Sequence, residues 1–467
     1  MILLIIPRDG PKPLWVNTGL MTPGKRLPML IRTFAILMVL LGVGGRLQLA
    51  FRSIERLSVV PFQDDSYYEQ SYARQIPTGS FFTLNGRDRG NAYHPLYVLL
   101  CAPLHVAAGS DRVLAIRLVV LLNVIVFVAT LFVVFRVFRR LAHEALANEA
   151  SLVGIGLYAV NSVAFRNDMN LMQTGLQLFF LWALVNSTLW LFDNGEKRFC
   201  HFTVVGTIAL LTCLSRIDMA VFILGWSATM LAQWRRWDLN VFRFAALAGP
   251  AATAVIGWSL VSYWQVGFFV PSGAGANLED FVINRPAVLG RAVTVASLMI
   301  VGLPHTYPDN TFWSPWWTAH AWTRAQVAVA FFLIYVLLLA RDRTDLRKAL
   351  VDKSAGLMPC LVGALLLISF YSLFWRASYF FERYFVVMLP LVVVFWGLLV
   401  HRALQKHCGG SVLLVCVFST VVFSVFLYRV SKVDESYWWT AYRSVAALAK
   451  PQDWIASPET GILGYLP

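Results

Sequence analysis

The sequence predicts an all-α integral membrane protein, a polytopic bundle of about eleven transmembrane helices. Of its 467 residues, 58% are hydrophobic and 14% are charged, and the mean hydropathy is +0.63. These values lie far outside the range of water-soluble domains. The apolar residues form long runs, and a helix needs roughly 20 apolar residues to cross a bilayer core. Basic residues cluster between the runs, so a soluble enzyme is excluded.

Each predicted span is a long apolar run with polar residues at its ends. The spans are 30–50, 113–135, 150–165, 170–191, 201–215, 218–233, 243–263, 323–340, 355–374, 384–401 and 411–428. Two further apolar stretches are left out of the count. Pro95–Ala108 is short for a crossing, and 287–303 is interrupted by Arg291. We expect both to be interfacial or partly re-entrant helices on the outer side.

Lys and Arg residues predict the orientation, because they concentrate in cytoplasmic loops. Their clusters are Arg8 to Arg32, Arg136 to Arg140, Lys197 with Arg198, Arg235 with Arg236, Arg341 to Lys353, and Arg402 with Lys406. Every second connection carries one, which predicts a cytoplasmic N-terminus. The net charge of +14 is therefore a topology signal, and no nucleic-acid partner is expected.

This orientation divides the chain into a transmembrane domain and a short tail. The domain covers 1–430, with large outer loops at 51–112 and 264–322, and the tail covers 431–467 outside the cytoplasm. Chemistry is expected in the polar residues of the outer side.

The first outer loop contains two candidate features. Asp64 and Asp65 are adjacent carboxylates, which can bind a cation or accept a proton from a hydroxyl group; a solvated acidic turn is the alternative. His94 precedes Pro95, and proline favours the first turn of a helix. His94 is therefore either a substrate contact or an interfacial side chain at a helix start.

The entry to the fourth span is unusually polar. Asn170, Gln173 and Thr174 have the i, i+3, i+4 spacing of one helix face. Such a face lines a cavity or hydrogen-bonds a neighbouring helix, and the sequence leaves both open.

Two charged turns complete the candidates. Arg216 and Asp218 lie between apolar runs, where they either serve a ligand or form an ion pair that braces the turn. Arg383 and Tyr384 precede the tenth span, where a guanidinium can fork onto a phosphate, or can instead anchor the helix at the membrane surface. All the candidates fall on the predicted outer side, which predicts one extracytoplasmic cleft.

Six short motifs carry a resemblance to a known family. They are Asp64-Asp65-Ser66-Tyr67-Tyr68 with Tyr72-Ala73-Arg74 and Gly79, Asn85-Gly86 with His94-Pro95-Leu96, Asn170-Leu171-Met172-Gln173-Thr174, Arg216-Ile217-Asp218, Gly267 with Pro271 to Ala274, and Arg383-Tyr384 with Pro390. In this order, over roughly 30–400, the chain resembles bacterial membrane glycosyltransferases of the GT-C superfamily, relatives of the protein mannosyltransferase and aminoarabinose transferase groups.

The resemblance implies an inverting transferase in the cytoplasmic (inner) membrane. Such an enzyme moves a sugar from a polyprenyl-phosphate donor to a glycan, lipid or protein acceptor outside the cytoplasm. It implies that Asp65, with Asp64, acts as base or binds a divalent cation such as Mg or Mn, and that Arg383 contacts the lipid phosphate. The family often has Glu at the position of Gln173, and Tyr97 matches its aromatic after His-Pro-Leu only approximately.

Two other classes of function fit a polytopic basic protein. One is a lipid-linked sugar flippase or another transporter, and the other is a non-catalytic scaffold or a carbohydrate-binding subunit. Transporters usually place ionisable groups near the bilayer midplane. The predicted spans are mostly free of such charges, which favours a surface-facing enzyme.

Overall fold

A computed structural model describes most of the bundle. The described residues are 23–57, 62, 64–87, 89–141, 147–269, 343–374, 381–405, 409–432 and 444. Within them the secondary structure is helical, apart from turns and one isolated bridge between Thr83 and Arg89. The all-α prediction is confirmed.

The helices, in chain order, are α1 (Pro23–Leu49), α2 (Ile54–Leu57), α3 (Asp64–Gln75), α4 (Pro95–Ala108), α5 (Arg112–Leu141), α6 (Ala147–Ala159), α7 (Ser162–Asp168), α8 (Thr174–Asp193), α9 (Phe199–Ser215), α10 (Met219–Ala232), α11 (Trp234–Trp237), α12 (Val241–Val266), α13 (Arg343–Phe374), α14 (Phe381–Phe385), α15 (Leu389–Gln405) and α16 (Gly409–Lys432). Short 3₁₀ segments follow α3 and α14, at Ile76–Thr78 and Val386–Met388.

The described part of the chain contains seven helical segments long and apolar enough to cross a membrane, so this is a multi-pass membrane protein. They lie in α1, α5, α8, α12, α13, α16 and the stretch Arg383–Val400. Three shorter apolar helices, α4, α9 and α10, accompany them. The predicted span 323–340, the stretch 287–303 and most of the tail lie outside the described residues.

The predicted span 150–165 is wrong as a continuous helix. It is divided into α6 and α7, and Asn161 lies at the break. The Asn161 side chain accepts a hydrogen bond of 2.9 Å from the backbone N–H of Ala164. Asparagine is among the best N-cap residues, so this single polar side chain starts a new helix inside an apolar run.

The start of the predicted span 170–191 is also corrected. Helix α8 begins only at Thr174, and Leu171 has a φ of 59° in the preceding turn. A left-handed residue cannot continue an α-helix. Asn170 and Gln173 therefore lie in a turn before α8, and the predicted shared helix face does not form.

The tenth span differs in a similar way. The predicted helix 384–401 consists of α14, the 3₁₀ segment and α15. A 3₁₀ segment has tighter turns than an α-helix, so the regular α-helical repeat is interrupted close to Arg383.

A buried ion pair joins the first helix to α7. Arg46 in α1 donates to Asp168 Oδ2 over 2.9 Å, and the two side chains are 0% and 3% exposed. Arg46 also donates to the carbonyls of Gly42 and Ala159, at 3.1 and 2.8 Å. The Ala159 carbonyl ends α6, so Arg46 satisfies a helix-end acceptor that lacks an intrahelical partner. The transmembrane spans were expected to be mostly free of charged residues, so this buried ion pair was not predicted.

Close helix packing explains the position of Gly42. A Cβ on Gly42 would lie 2.5 Å from the Ala159 carbonyl oxygen. Small residues let membrane helices approach closely, which increases their packing contacts. This approach brings Arg46 within reach of α6 and α7.

The described part of the first loop is largely helical, and α4 packs against α3, α5 and α9. Helix α4 has the predicted bounds, with Pro95 at its first position and Gly109 as its C-cap. Tyr67 and Tyr72 of α3 and Tyr97 of α4 are each 1% exposed. Their burial fixes α3, which carries the acidic pair.

Candidate active site

Asp65 lies in the first turn of α3, and its carboxylate meets a charge from a distant part of the chain. Its Oδ2 accepts a hydrogen bond of 2.8 Å from Nη1 of Arg383 in α14. The Asp65 side chain is 34% exposed and the Arg383 side chain 12%. The pair is thus partly shielded from water, and the carboxylate keeps an accessible side.

A second guanidinium lies close to the first. Arg216 donates through Nη1 to the backbone carbonyl of Arg383, at 3.3 Å. The guanidinium carbons of Arg216 and Arg383 lie 4.9 and 5.3 Å from the centre of the Tyr384 ring. An aromatic ring attracts cations, so Tyr384 helps to hold two positive groups near each other.

The turn between α9 and α10 contributes a second carboxylate. Arg216 Nε donates to Asp218 Oδ2 over 2.9 Å, and the Tyr371 hydroxyl donates to the same oxygen. Asp218 Oδ1 is buried and has no hydrogen-bond partner in the part of the chain that the structure describes. The predicted ion pair of Arg216 and Asp218 is present, and it uses only one of the two carboxylate oxygens of Asp218.

The turn at 169–173 connects α8 to α3. Asn170 Oδ1 accepts from Thr174 Oγ1 at 2.9 Å and from the backbone N–H of Met172 at 3.1 Å. Ser66 donates to the Asn170 carbonyl, and Gln70 Nε2 donates to the Leu171 carbonyl at 3.2 Å. The turn therefore bonds Ser66 and Gln70, which lie on the face of α3 next to the face that carries Asp65.

Met172 in this turn reaches the arginine pair. Its Sδ lies 3.4 Å from Nη1 of Arg383. Gln173 has a buried Oε1 for which the described residues supply no partner. The amide of Asn170 serves its own turn, so its predicted role with substrate stays a prediction.

His94 lies at the N-cap of α4, with extended backbone angles. Its backbone N–H donates to the carboxylate of Glu69. Burial, followed by the nearby charge of Arg216, lowers the pKa of His94 to about 3. The imidazole is therefore neutral at physiological pH, and its Nδ1 is buried with no partner among the described groups.

Glu69 is the residue that sequence reasoning missed. It lies one turn after Asp65 on α3 and is 4% exposed. Burial raises its pKa to about 8, although the His94 backbone hydrogen bond acts in the opposite direction. The i, i+4 spacing of Asp65 and Glu69 was the signal that could have found it.

We call Asp65, Glu69, His94, Arg216, Asp218 and Arg383 the polar cluster. It contains two guanidiniums, the carboxylates of Asp65 and Asp218, and the carboxyl group of Glu69, whose pKa is raised to about 8 by burial. The sequence-predicted residues of four separate segments thus meet in one place, with Tyr384 and Tyr371 packed against them.

The described side chains do not fit a metal site. Among them, no group of three His, Cys, Asp or Glu residues could hold an ion. Asp65 already faces a guanidinium, which would repel a dication on the same oxygen. The Asp64 side chain lies outside the described residues, so the predicted cation at Asp64 and Asp65 stays a prediction.

Comparisons with known proteins find similarity among solved structures and none elsewhere. No protein-family model matches the chain, and no curated protein matches it. The chain is similar to the oligosaccharyltransferase of Archaeoglobus fulgidus, whose crystal structure contains a tethered acceptor peptide with the NVT sequon. The similarity has 14% sequence identity and a TM-score of 0.46, and it covers 88% of this chain and 57% of the other. This chain therefore spans little more than half of that protein, and the likeness assigns no function.

Proposed function

We propose that this chain is a membrane glycosyltransferase that moves a sugar from a polyprenyl-phosphate donor to an acceptor outside the cytoplasm. The observation that carries the proposal is the Asp65 carboxylate, 2.8 Å from Arg383 and beside a second guanidinium. A glycosyl transfer from a lipid phosphate needs a base for the acceptor and positive charge for the leaving group.

The proposed reaction is a single displacement with inversion. The acceptor oxygen attacks the anomeric carbon of the sugar and forms the new glycosidic bond. The bond from that carbon to the phosphate oxygen breaks, and its electron pair leaves with the lipid phosphate. Asp65 accepts the acceptor proton on its carboxylate.

The arginines bind the departing phosphate. Arg383 forms an ion pair with Asp65, and a bound phosphate offers its guanidinium a second anionic partner. A guanidinium has five N–H donors, so Arg383 can contact both anions. Arg216 stands close enough to add a second positive charge.

We place the reaction at the outer face of the cytoplasmic membrane, following the charge alternation of the loops. The acceptor is a cell-envelope glycan, a glycolipid or a protein. Asp64, His94, Asn170, Gln173, Asp218 and Tyr384 are the remaining proposed substrate contacts.

One observation favours the transporter alternative. Arg46 and Asp168 form an ion pair among the membrane helices, and such charges often mark transport pathways. In this chain Arg46 also bonds two backbone carbonyls and lies 3.6 Å from the Phe127 ring centre. Its contacts brace three helices, so we assign the pair a structural role.

The test combines a deletion strain with purified protein. If the chain is a transferase, the deletion strain should lack a surface sugar and accumulate the lipid-linked donor. That donor, extracted from the strain, is then supplied with the acceptor to protein in detergent micelles. A transferase makes product there, whereas a flippase does not, because a micelle has no two sides to connect. Absence of product with active-site residues intact would reject the proposal.

A further inference from the structure

Glu69 has the features of a ligand contact that the reaction above does not use. Its side chain is almost fully buried, and its carboxylate accepts the backbone N–H of His94. Its Oε2 is buried and bonds no described group. A buried polar atom without a partner is uncommon and indicates a missing ligand or water.

Two other atoms of the polar cluster share this property. Nδ1 of His94 and Oδ1 of Asp218 are also buried and without a described partner. Arg216 donates to Asp218 and to the Arg383 carbonyl, so these three residues lie together, and their charges all act on His94. Three unused hydrogen-bonding atoms from three segments match a ligand with several hydroxyl groups.

The surroundings of Glu69 determine its protonation. The groups that act on it from α3 are Asp65 and Tyr72. Those from the following loop and α4 are His94, Tyr93, Tyr97 and Cys101. Arg216 acts from the turn between α9 and α10, and Arg383 acts from α14. Burial is the largest effect on its pKa, and the negative charge of Asp65 adds to it. The arginines oppose both and do not reverse them.

A neutral carboxyl group suits this position for a chemical reason. A second carboxylate beside Asp65 would repel the lipid phosphate as it leaves with negative charge. A carboxylic acid adds no charge, and it offers both a donor and an acceptor to a hydroxyl group.

We propose that Glu69 is a substrate-binding residue that hydrogen-bonds a hydroxyl group of the transferred sugar through Oε2. This inference rests on the proposed function. It assigns to Glu69 a contact with sugar hydroxyls, distinct from the base role of Asp65.

The test compares Glu69→Gln, Glu69→Ala and wild type in the detergent assay with extracted donor. Glutamine keeps the shape and neutrality of the protonated acid, so kcat/KM at pH 7 should stay within about threefold of wild type. Alanine removes the contact, so KM for the donor should rise by about tenfold or more while kcat changes less. Glu196→Gln, at a side chain that is 79% exposed, is the matched control and should behave as wild type.

The pH profile distinguishes a substrate contact from a structural role. Wild-type activity should fall as pH rises through about 8, where Glu69 ionises, and Glu69→Gln should not show this fall. Equal profiles for the two proteins, an unchanged KM in Glu69→Ala, or a hundredfold loss in Glu69→Gln would each overturn the inference. Thermal melting checks that each variant is folded. A wild-type protein without any transfer would reject the proposed function, which is a separate outcome.

Discussion

The ion pair of Arg46 and Asp168 allows a quantitative prediction of stability. Both side chains are buried, and Arg46 makes four hydrogen bonds to Asp168, Gly42 and Ala159. Arg46→Met keeps an apolar contact with Phe127 but leaves the Asp168 charge without its partner. Breaking a buried pair in this way costs about 3–5 kcal/mol of folding free energy.

The double variant separates the pair from its surroundings. Asp168→Asn removes the second charge, so Arg46→Met with Asp168→Asn should be more stable than the sum of the single losses predicts, by about 2–3 kcal/mol. The measurement is the free energy of unfolding in mixed detergent micelles for the wild type, both single variants and the double variant. Arg198→Met, at a surface pair with Glu196, is the control and should show no measurable loss. Single losses that add within about 0.5 kcal/mol would refute the proposed ion pair.

Three further predictions concern the polar cluster. Arg383→Lys keeps the charge but loses the fork, so kcat/KM for the donor should fall about 10- to 100-fold, and an unchanged value would remove Arg383 from phosphate binding. Tyr371→Phe removes the hydroxyl that bonds Asp218, and KM should rise about three- to tenfold, whereas a normal KM would show that Asp218 needs no such support. Transfer should persist in EDTA, because a guanidinium faces Asp65; loss that Mg or Mn reverses would instead support the cation at Asp64 and Asp65.

Much of the fold is predictable because membrane helices depend on composition more than on particular contacts. Apolar runs and their flanking charges predicted both ends of α9, α12 and α16 to within four residues, and one end each of α1 and α5. Helix α4 has the bounds of the predicted apolar stretch, since Pro95 starts it and its apolar run ends at Ala108.

The errors have local causes that a hydropathy pattern does not contain. One asparagine, Asn161, starts a new helix inside an apolar run. The left-handed Leu171 delays α8 because surrounding contacts hold the turn. The sequence-based prediction depended on the average hydropathy of each run, to which a single residue contributes little.

The sequence predicted most of the residues of the candidate site but not which of them contact each other. Polar residues at apolar boundaries identified Asp65, Arg216, Asp218 and Arg383. The contact between Asp65 and Arg383 joins residues 318 positions apart, and no spacing rule reaches that far. Glu69 was missed because its importance depends on burial.

The most direct test of the proposed transferase is Asp65→Asn, assayed with purified protein, extracted lipid-linked donor and acceptor. Asparagine keeps the size of the side chain but cannot accept the acceptor proton as a base. The account predicts a loss of about 100-fold or more in kcat, with donor binding retained and protein levels normal. Transfer at the wild-type rate by Asp65→Asn would contradict it.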